Sequence, residues 1–281
     1  MLKTGINFSK FGFDISDEDT FKLIKDAGFD TFFTGFSSEE NTRRFKILGE
    51  KVGLRYESIH APFGGINHIW DEGEKGDEFV RQLFKVADTC AELEIEYFTL
   101  HCMNVPEFNV NVTSPIKCSA LGIERFERVV AHAAEKGVRT CFENVEFPHF
   151  ELRTLLDTLR TKGYPSLGWT WDVGHEHCYP ADGIDLIEEF GDLLVGTHIH
   201  DNRGQSVHDV ITWNDDNHLF PFDGTIDFKR VGQKLKHRKY SGTITLEVNR
   251  KALLPEYQNM RIGDILQEAH KRAIRIAEYC E

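Results

Sequence analysis

Residues 167–202 read LGWTWDVGHEHCYPADGIDLIEEFGDLLVGTHIHDN, and this stretch decides the fold class. Two short runs within it, LGWTWD and LLVGTHI, have the length and the aromatic and β-branched content of buried strands. The segment between them, GIDLIEEF, has the apolar spacing of an amphipathic helix. A strand, a helix and a second strand in this order predict a βαβ unit with parallel strands.

The same alternation extends along the whole chain in both directions. Several helical patterns end in glycine just before the next strand, as in KDAGF and EKVGL, which is typical of helix C-termini. No G-x-G-x-x-G follows the first strand, so a dinucleotide-binding sheet is disfavoured. Eight strand–helix units predict an α/β fold, a single (β/α)₈ TIM barrel that spans residues 1–281 as one domain. The predicted strands are TGINF at 4–8, DTFFTGF at 30–36, RYESIHAPF at 55–63, EYFTLHC at 96–102, RTCFENV at 139–145, LGWTWDVGH at 167–175, LLVGTHIHDN at 193–202 and GTITLEVN at 242–249.

Composition and cysteine usage favour a cytoplasmic protein. No apolar run approaches the roughly 18 residues that a membrane span needs. The N-terminal sequence MLKTGINFSKFGFD has no continuous apolar segment of the kind found in secretory signals. The six cysteines are scattered without C-x-x-C pairs, which indicates reduced thiols rather than a disulfide framework or a cysteine-ligated zinc.

The net charge bears on the choice of partner. The chain carries 33 Lys and Arg residues against 46 Asp and Glu residues, a formal charge of −13. Proteins that bind nucleic acid normally present a basic face that displaces counterions from the phosphates. A nucleic-acid partner is therefore disfavoured, and a small molecule is expected instead.

Ligand-type side chains stand at the ends of six consecutive predicted strands. In a (β/α)₈ barrel the active site is built at the C-terminal ends of the strands. One such residue alone is commonly a surface group, but six at one edge would bury several like charges unless a cation neutralised them. The pattern therefore predicts a metal site at this edge. The residues, in strand order, are His60, His101, Glu143, Asp172 with His175, His198 and Glu247.

These strand ends resemble the xylose isomerase-like barrel superfamily, the sugar phosphate isomerase/epimerase group that is related to endonuclease IV. Each motif is short, but their order and their position at successive strand ends make the set specific. The resemblance covers nearly the whole chain. Its motifs are IHAPF at 59–63, FEN at 142–144, WDVGH at 171–175, HIHDN at 198–202, DNHLFPFDGTIDF at 216–228 and LEVN at 246–249.

The resemblance implies one divalent metal held by Glu143, Asp172, His198 and Glu247. Three carboxylates and one imidazole form an oxygen-rich set for which Mn²⁺ is expected, and Mg²⁺, Co²⁺ or Zn²⁺ would also be compatible. His198 and His200 are two residues apart, so both point to the same face of the strand. The match of H-x-H-D to relatives favours His198 as the ligand and leaves His200 to line the pocket.

The implied activity is that of an isomerase or epimerase acting on a ketose, an aldose or a related polyol ketone. Glu143 and Glu247 would be catalytic as well as metal ligands. One would remove the proton beside the carbonyl and the other would return it, through a metal-bound enediolate. Whether the sugar carries a phosphate is left open. The implied substrate-binding residues are His60, His101, His175, His200 and Arg203.

Two other activities share this ligand set. A metal-dependent lyase or dehydratase would begin with the same proton abstraction and then eliminate a group β to the ketone. An endonuclease IV-like enzyme would hold three zinc ions, with Asp216 and His218 as additional ligands beside the seven strand-end residues. The net charge of −13 and the GGINHIW segment after HAPF disfavour this DNA-cleaving activity.

Aromatic residues cluster after the first three predicted strands. Their rings would stack on a sugar or cover a subunit interface, so the sequence also permits a homo-oligomer. The cluster consists of Phe8, Phe11, Phe13, Phe32, Phe33, Phe36, Phe63 and Trp70.

Overall fold

The computed structural model describes residues 1–104, 108–109, 118–145, 149–179, 184–208, 210–249, 254–257 and 259–281. Within those residues, the eight strands that the sequence predicts alternate with helices, and two additional two-residue strands form a separate small sheet. In chain order the strands are β1 Lys3–Asn7, β2 Thr31–Gly35, β3 Arg55–His60, β4 Tyr97–Leu100, β5 Phe108–Asn109, β6 Arg139–Glu143, β7 Leu167–Asp172, β8 Leu194–His198, β9 Val210–Ile211 and β10 Thr243–Leu246.

Eight of these strands form one parallel sheet in the order β10-β1-β2-β3-β4-β6-β7-β8. The two end strands approach each other just beyond β8. The N–H of Ile199 donates to the carbonyl of Thr245 at 2.8 Å, and the N–H of Glu247 donates to the carbonyl of Ile199 at 3.0 Å. These bonds close the ring at its C-terminal edge, and the predicted (β/α)₈ barrel is confirmed. That residues 1–281 form a single domain stays a prediction.

The helices carry capping signals that explain where they begin and end. Ser16, Ser38 and Ser119 each accept a backbone N–H at the start of a helix, and Gly28 ends the first helix with φ of 110°. The helices are α1 Asp17–Ala27, α2 Glu39–Lys51, α3 Glu74–Glu92, α4 Ala120–Glu135, α5 His149–Arg160, α6 Val173–Cys178, α7 Leu186–Phe190, α8 Phe228–His237 and α9 Ile262–Tyr279, with short 3-10 helices at Ile66–Ile69 and Pro255–Tyr257.

The core consists of apolar strand residues and the inward faces of the helices. Phe32 on β2 stacks on Tyr56 on β3 with ring centroids 4.4 Å apart, and both side chains are buried. Trp169 on β7 is fully buried and packs edge-on against Phe190 of α7 at 5.6 Å. This packing fixes the strands and so fixes where their C-terminal ends lie. No helix among the described residues has both the length and the apolar character needed to cross a bilayer.

The end of β7 differs from the sequence prediction, which continued the strand to His175. The strand ends at Asp172, and α6 begins at Val173. The reason is a helix cap, because the carboxylate of Asp172 accepts the N–H of His175 at 2.6 Å. His175 therefore reaches the barrel mouth from the first turn of a helix rather than from a strand.

Candidate metal and substrate site

Glu143, the last residue of β6, lies at the centre of the barrel mouth and is fully buried. Its Oε1 lies 2.7 Å from Nδ1 of His198. Its Oε2 lies 3.2 Å from Nε2 of His60 and 3.3 Å from Nε2 of His101. One carboxylate thus contacts imidazoles from three other strand ends, and the structure brings these four predicted residues together.

Glu247, directly after β10, reaches the same place from the other side of the closed ring. Its Oε2 lies 3.2 Å from Nδ1 of His198. Donor atoms of Glu143, Asp172, His198 and Glu247 all lie within 4.8 Å of one another. This is the four-residue set that the family resemblance implies for a single metal.

A second group of donors lies beside the first. It consists of His175, His200, Asp216 and His218, again with donor atoms within 4.8 Å of one another. Asp216 Oδ2 lies 2.9 Å from Nε2 of His218 and 3.5 Å from Nε2 of His175. The backbone of His218 has a positive φ of 48°, an uncommon conformation for a residue other than glycine.

His200 connects the two groups. Its ring is fully buried, and its Nε2 lies 3.0 Å from Oδ1 of Asp172. The same ring stacks on His218 with centroids 3.9 Å apart. His198 and His200 therefore serve different groups, although the sequence places both on one face. A third set, His60, His101 and Glu143, shares Glu143 with the first group.

The donors fit a divalent cation. Carboxylates and imidazoles suit Mn²⁺, Mg²⁺, Co²⁺ or Zn²⁺, and burying several carboxylates together is costly without positive charge. Asp216 Oδ1 is buried and has no hydrogen-bond partner among the described residues. An acceptor in that position is expected to have a partner, and a cation would satisfy it.

The electrostatics of the site show the same demand for positive charge. Burial raises the pKa of Glu143, but the neighbouring imidazoles, His198 above all, outweigh burial and hold that pKa well below its usual value. Burial lowers the pKa of His198, but the carboxylates of Glu143 and Glu247 outweigh it and hold that pKa well above its usual value. Burial also lowers the pKa of His218, but the Asp216 carboxylate outweighs burial and raises that pKa to about 9. In this arrangement the carboxylates and the imidazoles therefore stabilise each other's charged forms.

Asparagine side chains extend the strand ladder beyond the strand ends and hold the ligands in position. The amide of Asn144 donates to the carbonyl of Asp172 at 2.7 Å and accepts the N–H of Asp172 at 3.0 Å. Asn7 makes the same pair of bonds with Val248, the residue after Glu247, at 2.9 and 3.0 Å. Sequence reasoning missed both roles. The available signal was an asparagine at the end of a strand, where an amide can replace a missing backbone partner.

Asp201 fixes the loop that carries Asp216 and His218. Its carboxylate accepts the backbone N–H groups of Phe222, Gly224 and Ile226 at 2.8–3.1 Å. The backbone of Asp201 also pairs with that of Leu219 in both directions, at 2.8 and 2.9 Å. The conformation of this loop therefore depends on one buried carboxylate that the sequence did not single out.

A cavity of about 520 Å³ opens onto these residues at the barrel mouth. Glu247 and Asp216 line it, whereas Glu143 is buried behind the lining. No lysine or arginine lines it among the residues that the structure describes. Arg203 is exposed and outside this lining, so its substrate-binding role stays a prediction. The predicted residues that do line the cavity are His60, His101, His175, Asp216, His218 and Glu247.

The aromatic cluster predicted after the first three strands divides into two parts. Phe11 and Phe32 are buried in the core, and Phe13 packs against it. Trp70 donates its Nε1–H to the carbonyl of Cys102 at 2.8 Å. The others that turn toward the mouth line the cavity, namely Phe8, Phe33, Phe36 and Phe63. Phe33 stacks on His198 with centroids 4.7 Å apart, so this ring also supports a predicted ligand.

Known proteins resemble this chain in sequence or in fold. A protein of uncharacterised function from Methanocaldococcus jannaschii is 28% identical over 239 residues, which cover 80% of this chain and 77% of the relative. The crystal structure of 3-keto-D-glucoside 4-epimerase from E. coli superimposes with a TM-score of 0.74 at 16% identity, over 98% of this chain and 100% of that one. D-psicose 3-epimerase from Clostridium cellulolyticum H10 gives 0.73 at 15% identity, over 99% of each chain. At these identities, the likeness to the two epimerases concerns the fold.

The sequence profile described as xylose isomerase-like TIM barrel matches residues 21–274, which include every ligand-type residue of the site. The match covers most of the chain and agrees with the closed ring of eight parallel strands. The protein is therefore a member of the xylose isomerase-like TIM barrel family.

Proposed function

We propose that the protein is a divalent-metal-dependent isomerase or epimerase of a sugar or a related polyol ketone. The observation that carries the proposal is the convergence of Glu143 and Glu247 on His198 beside one cavity. Two carboxylates next to one substrate are what a proton removal and a proton return require. The names of similar structures, a 3-keto-D-glucoside 4-epimerase and a D-psicose 3-epimerase, support this choice of reaction.

The metal would be held by Glu143, Asp172, His198 and Glu247, and when bound it would polarise a carbonyl and acidify the C–H beside it. Glu247 is assigned proton removal because its side chain lines the cavity and is 20% exposed. Glu143 is assigned proton return. Its carboxylate is 1% exposed, so it must gain access to the cavity between His60 and His198 during the reaction.

The remaining imidazoles would bind the substrate. His60, His101 and His175 line the cavity, where their rings can contact the hydroxyl and carbonyl oxygens of a substrate. His200 is fully buried behind them, bonded to Asp172, so we assign it the positioning of that ligand rather than substrate contact. Arg203, a cytoplasmic location and a homo-oligomeric state remain predictions from the sequence.

Solvent exchange tests the reaction directly. Protein loaded with Mn²⁺ is incubated in D₂O with a ketohexose, a ketopentose and a 3-keto-glucoside, and the substrates are followed by proton NMR. We expect deuterium at the carbon beside the carbonyl, together with the epimer or isomer. A product that has lost a β substituent would assign the lyase reaction instead. Absence of exchange with every substrate would contradict the proposal.

A three-metal hydrolase is the second candidate, and a specific observation favours it. The donor residues form three groups, and two of these groups share Glu143. The third group contains Asp216, whose Oδ1 has no hydrogen-bond partner among the described residues. Against a phosphodiester substrate stand the net charge of −13 and a described cavity lining without lysine or arginine. Cleavage of an abasic DNA duplex at physiological salt by zinc-loaded protein would reverse this ranking.

A further inference from the structure

Two large aromatic side chains are exposed at the mouth of the cavity. Phe63 is 47% exposed and Trp213 is 55% exposed. Both line the same cavity as Glu247 and Asp216. One exposed aromatic residue is ordinary on a protein surface, but two on the wall of a cavity beside a candidate reaction centre indicate a ligand contact.

The ring of Phe63 is held in place by the imidazoles next to it. It stacks on His101 with centroids 4.9 Å apart and an interplanar angle of 18°. It also meets the edge of His60 at 5.7 Å and 79°. Both imidazoles contact Glu143, so the ring is fixed relative to the carboxylates, and binding to its exposed face would need little ordering.

Trp213 lies on a turn that is flanked by two buried residues. Thr212 and Asp215 are 7% and 5% exposed. The carbonyl of Thr212 accepts the hydroxyl of Tyr179 at 3.0 Å and the N–H of Asp215 at 3.1 Å. The Asp215 carboxylate accepts the N–H of Ser206 at 3.0 Å. The backbone is thus anchored on both sides of Trp213, so the fold fixes the point from which the indole extends.

The size and the polarity of the cavity suit a substrate with two unlike parts. Its volume of about 520 Å³ is within the range of about 300–1,000 Å³ found for drug-sized ligands, which are larger than a single sugar ring. Its lining includes carboxylates and imidazoles, which suit polar groups, as well as aromatic rings, which suit apolar ones. A phosphate group would call for basic side chains, and the described lining residues include no lysine or arginine.

We propose that Phe63 and Trp213 form a binding subsite for an aromatic aglycone, and that the substrate is a neutral keto-glycoside carrying such a group. The sugar part would lie toward Glu247 and Asp216, and the aglycone would stack on the two exposed rings. The identity of the sugar part rests on the proposed function, whereas the subsite rests on the aromatic residues alone.

The first test compares the methyl and phenyl glycosides of the same keto-sugar. We expect kcat/KM to be on the order of tenfold higher for the phenyl glycoside, the upper range for one aromatic stacking contact. Phe63→Ala and Trp213→Ala should each lower the phenyl-to-methyl ratio toward one. Ile47→Ala is the control, because Ile47 is 64% exposed but lies outside the cavity lining, and it should leave the ratio unchanged.

The second test measures binding without turnover, by calorimetry with phenyl β-D-glucoside, which has no ketone. We expect binding that weakens in Phe63→Ala and in Trp213→Ala. If the ketohexose, the ketopentose and both keto-glycosides all fail to react but this binding is found, the proposed function is wrong and the subsite stands. If both keto-glycosides react with equal kcat/KM, or phenyl glucoside does not bind, the subsite is wrong.

Discussion

His198 Nδ1 lies 2.7 Å from Oε1 of Glu143, which joins the end of β8 to the end of β6. The same nitrogen lies 3.2 Å from Oε2 of Glu247. A ring nitrogen donates at most one proton, so it cannot fully satisfy both carboxylates. A divalent cation among these groups would satisfy both, so loss of the cation or of one of its ligands should have measurable effects.

Replacing Glu247 with glutamine should abolish most of the activity. The change removes a proton acceptor and a negative charge while keeping the size of the side chain, so kcat should fall by about 10²–10⁴-fold. Turnover and metal content would be measured on the same preparation. Glu72→Gln, at an exposed surface position, is the control. Unchanged turnover and unchanged metal content in Glu247→Gln would refute the assigned role.

The stability of the chelator-treated protein should fall as pH rises above neutral. The pKa of His218 is raised to about 9, because the Asp216 carboxylate outweighs burial, and the pKa of His198 is also raised. An unfolded histidine titrates near pH 6.5, so above that pH the folded state binds more protons than the unfolded state. The stabilisation is therefore complete below about pH 6.5 and is lost through about pH 9.

Urea unfolding of the chelated protein at pH 6.5, 7.5 and 9 would measure this loss as a declining free energy of unfolding. His218→Asn should flatten the decline, because it removes one of the titrating groups. His237→Asn, at an exposed position on the protein surface, should leave it unchanged. A free energy that stays constant or rises over this pH range would contradict the assignment of imidazolium protons to the site.

Metal content should distinguish one functional ion from three. Asp172 belongs to the four-residue group that contains Glu143 and Glu247, whereas Asp216 belongs to the neighbouring group. For the sugar enzyme, we expect about one Mn²⁺ per chain, lost in Asp172→Asn and retained in Asp216→Asn. Elemental analysis after dialysis against limiting metal gives the number of metal ions per chain in the unmodified protein and in each variant. About three zinc ions per chain, reduced in both variants, would instead favour the hydrolase.

Gly174→Ala should destabilise the protein and displace His200. A Cβ at this position would overlap the ring of His200, which is buried and cannot move without leaving Asp172. Overpacking of this kind costs about 1–3 kcal/mol, measurable as a lower free energy of unfolding. Gly64→Ala is the matched control, since a Cβ there would meet no atom within 4 Å. Equal stability of the two variants would show that His200 has room to shift.

The sequence determined the architecture because strand and helix periods are local properties. The alternation of short β-rich runs with amphipathic helices predicts eight units. Serines and glycines between them mark where single helices begin and end, as Ser16 and Gly28 do for the first helix. The positions of His60, Glu143 and Glu247 at strand ends could be read in the same way. The residue at which β7 ends and α6 begins could not be predicted in this way, because that boundary depends on one hydrogen bond to the side chain of the cap residue Asp172.

Only the tertiary structure decided how the donors are grouped. His198 and His200 share a strand face in the sequence, yet His198 contacts Glu143 while His200 contacts Asp172 and stacks on His218. The two glutamates are alike in the sequence, yet Glu143 is buried and Glu247 lines the cavity. Distances between residues on β6, β8 and β10 depend on the closure and register of the barrel, and no local pattern in the chain encodes them.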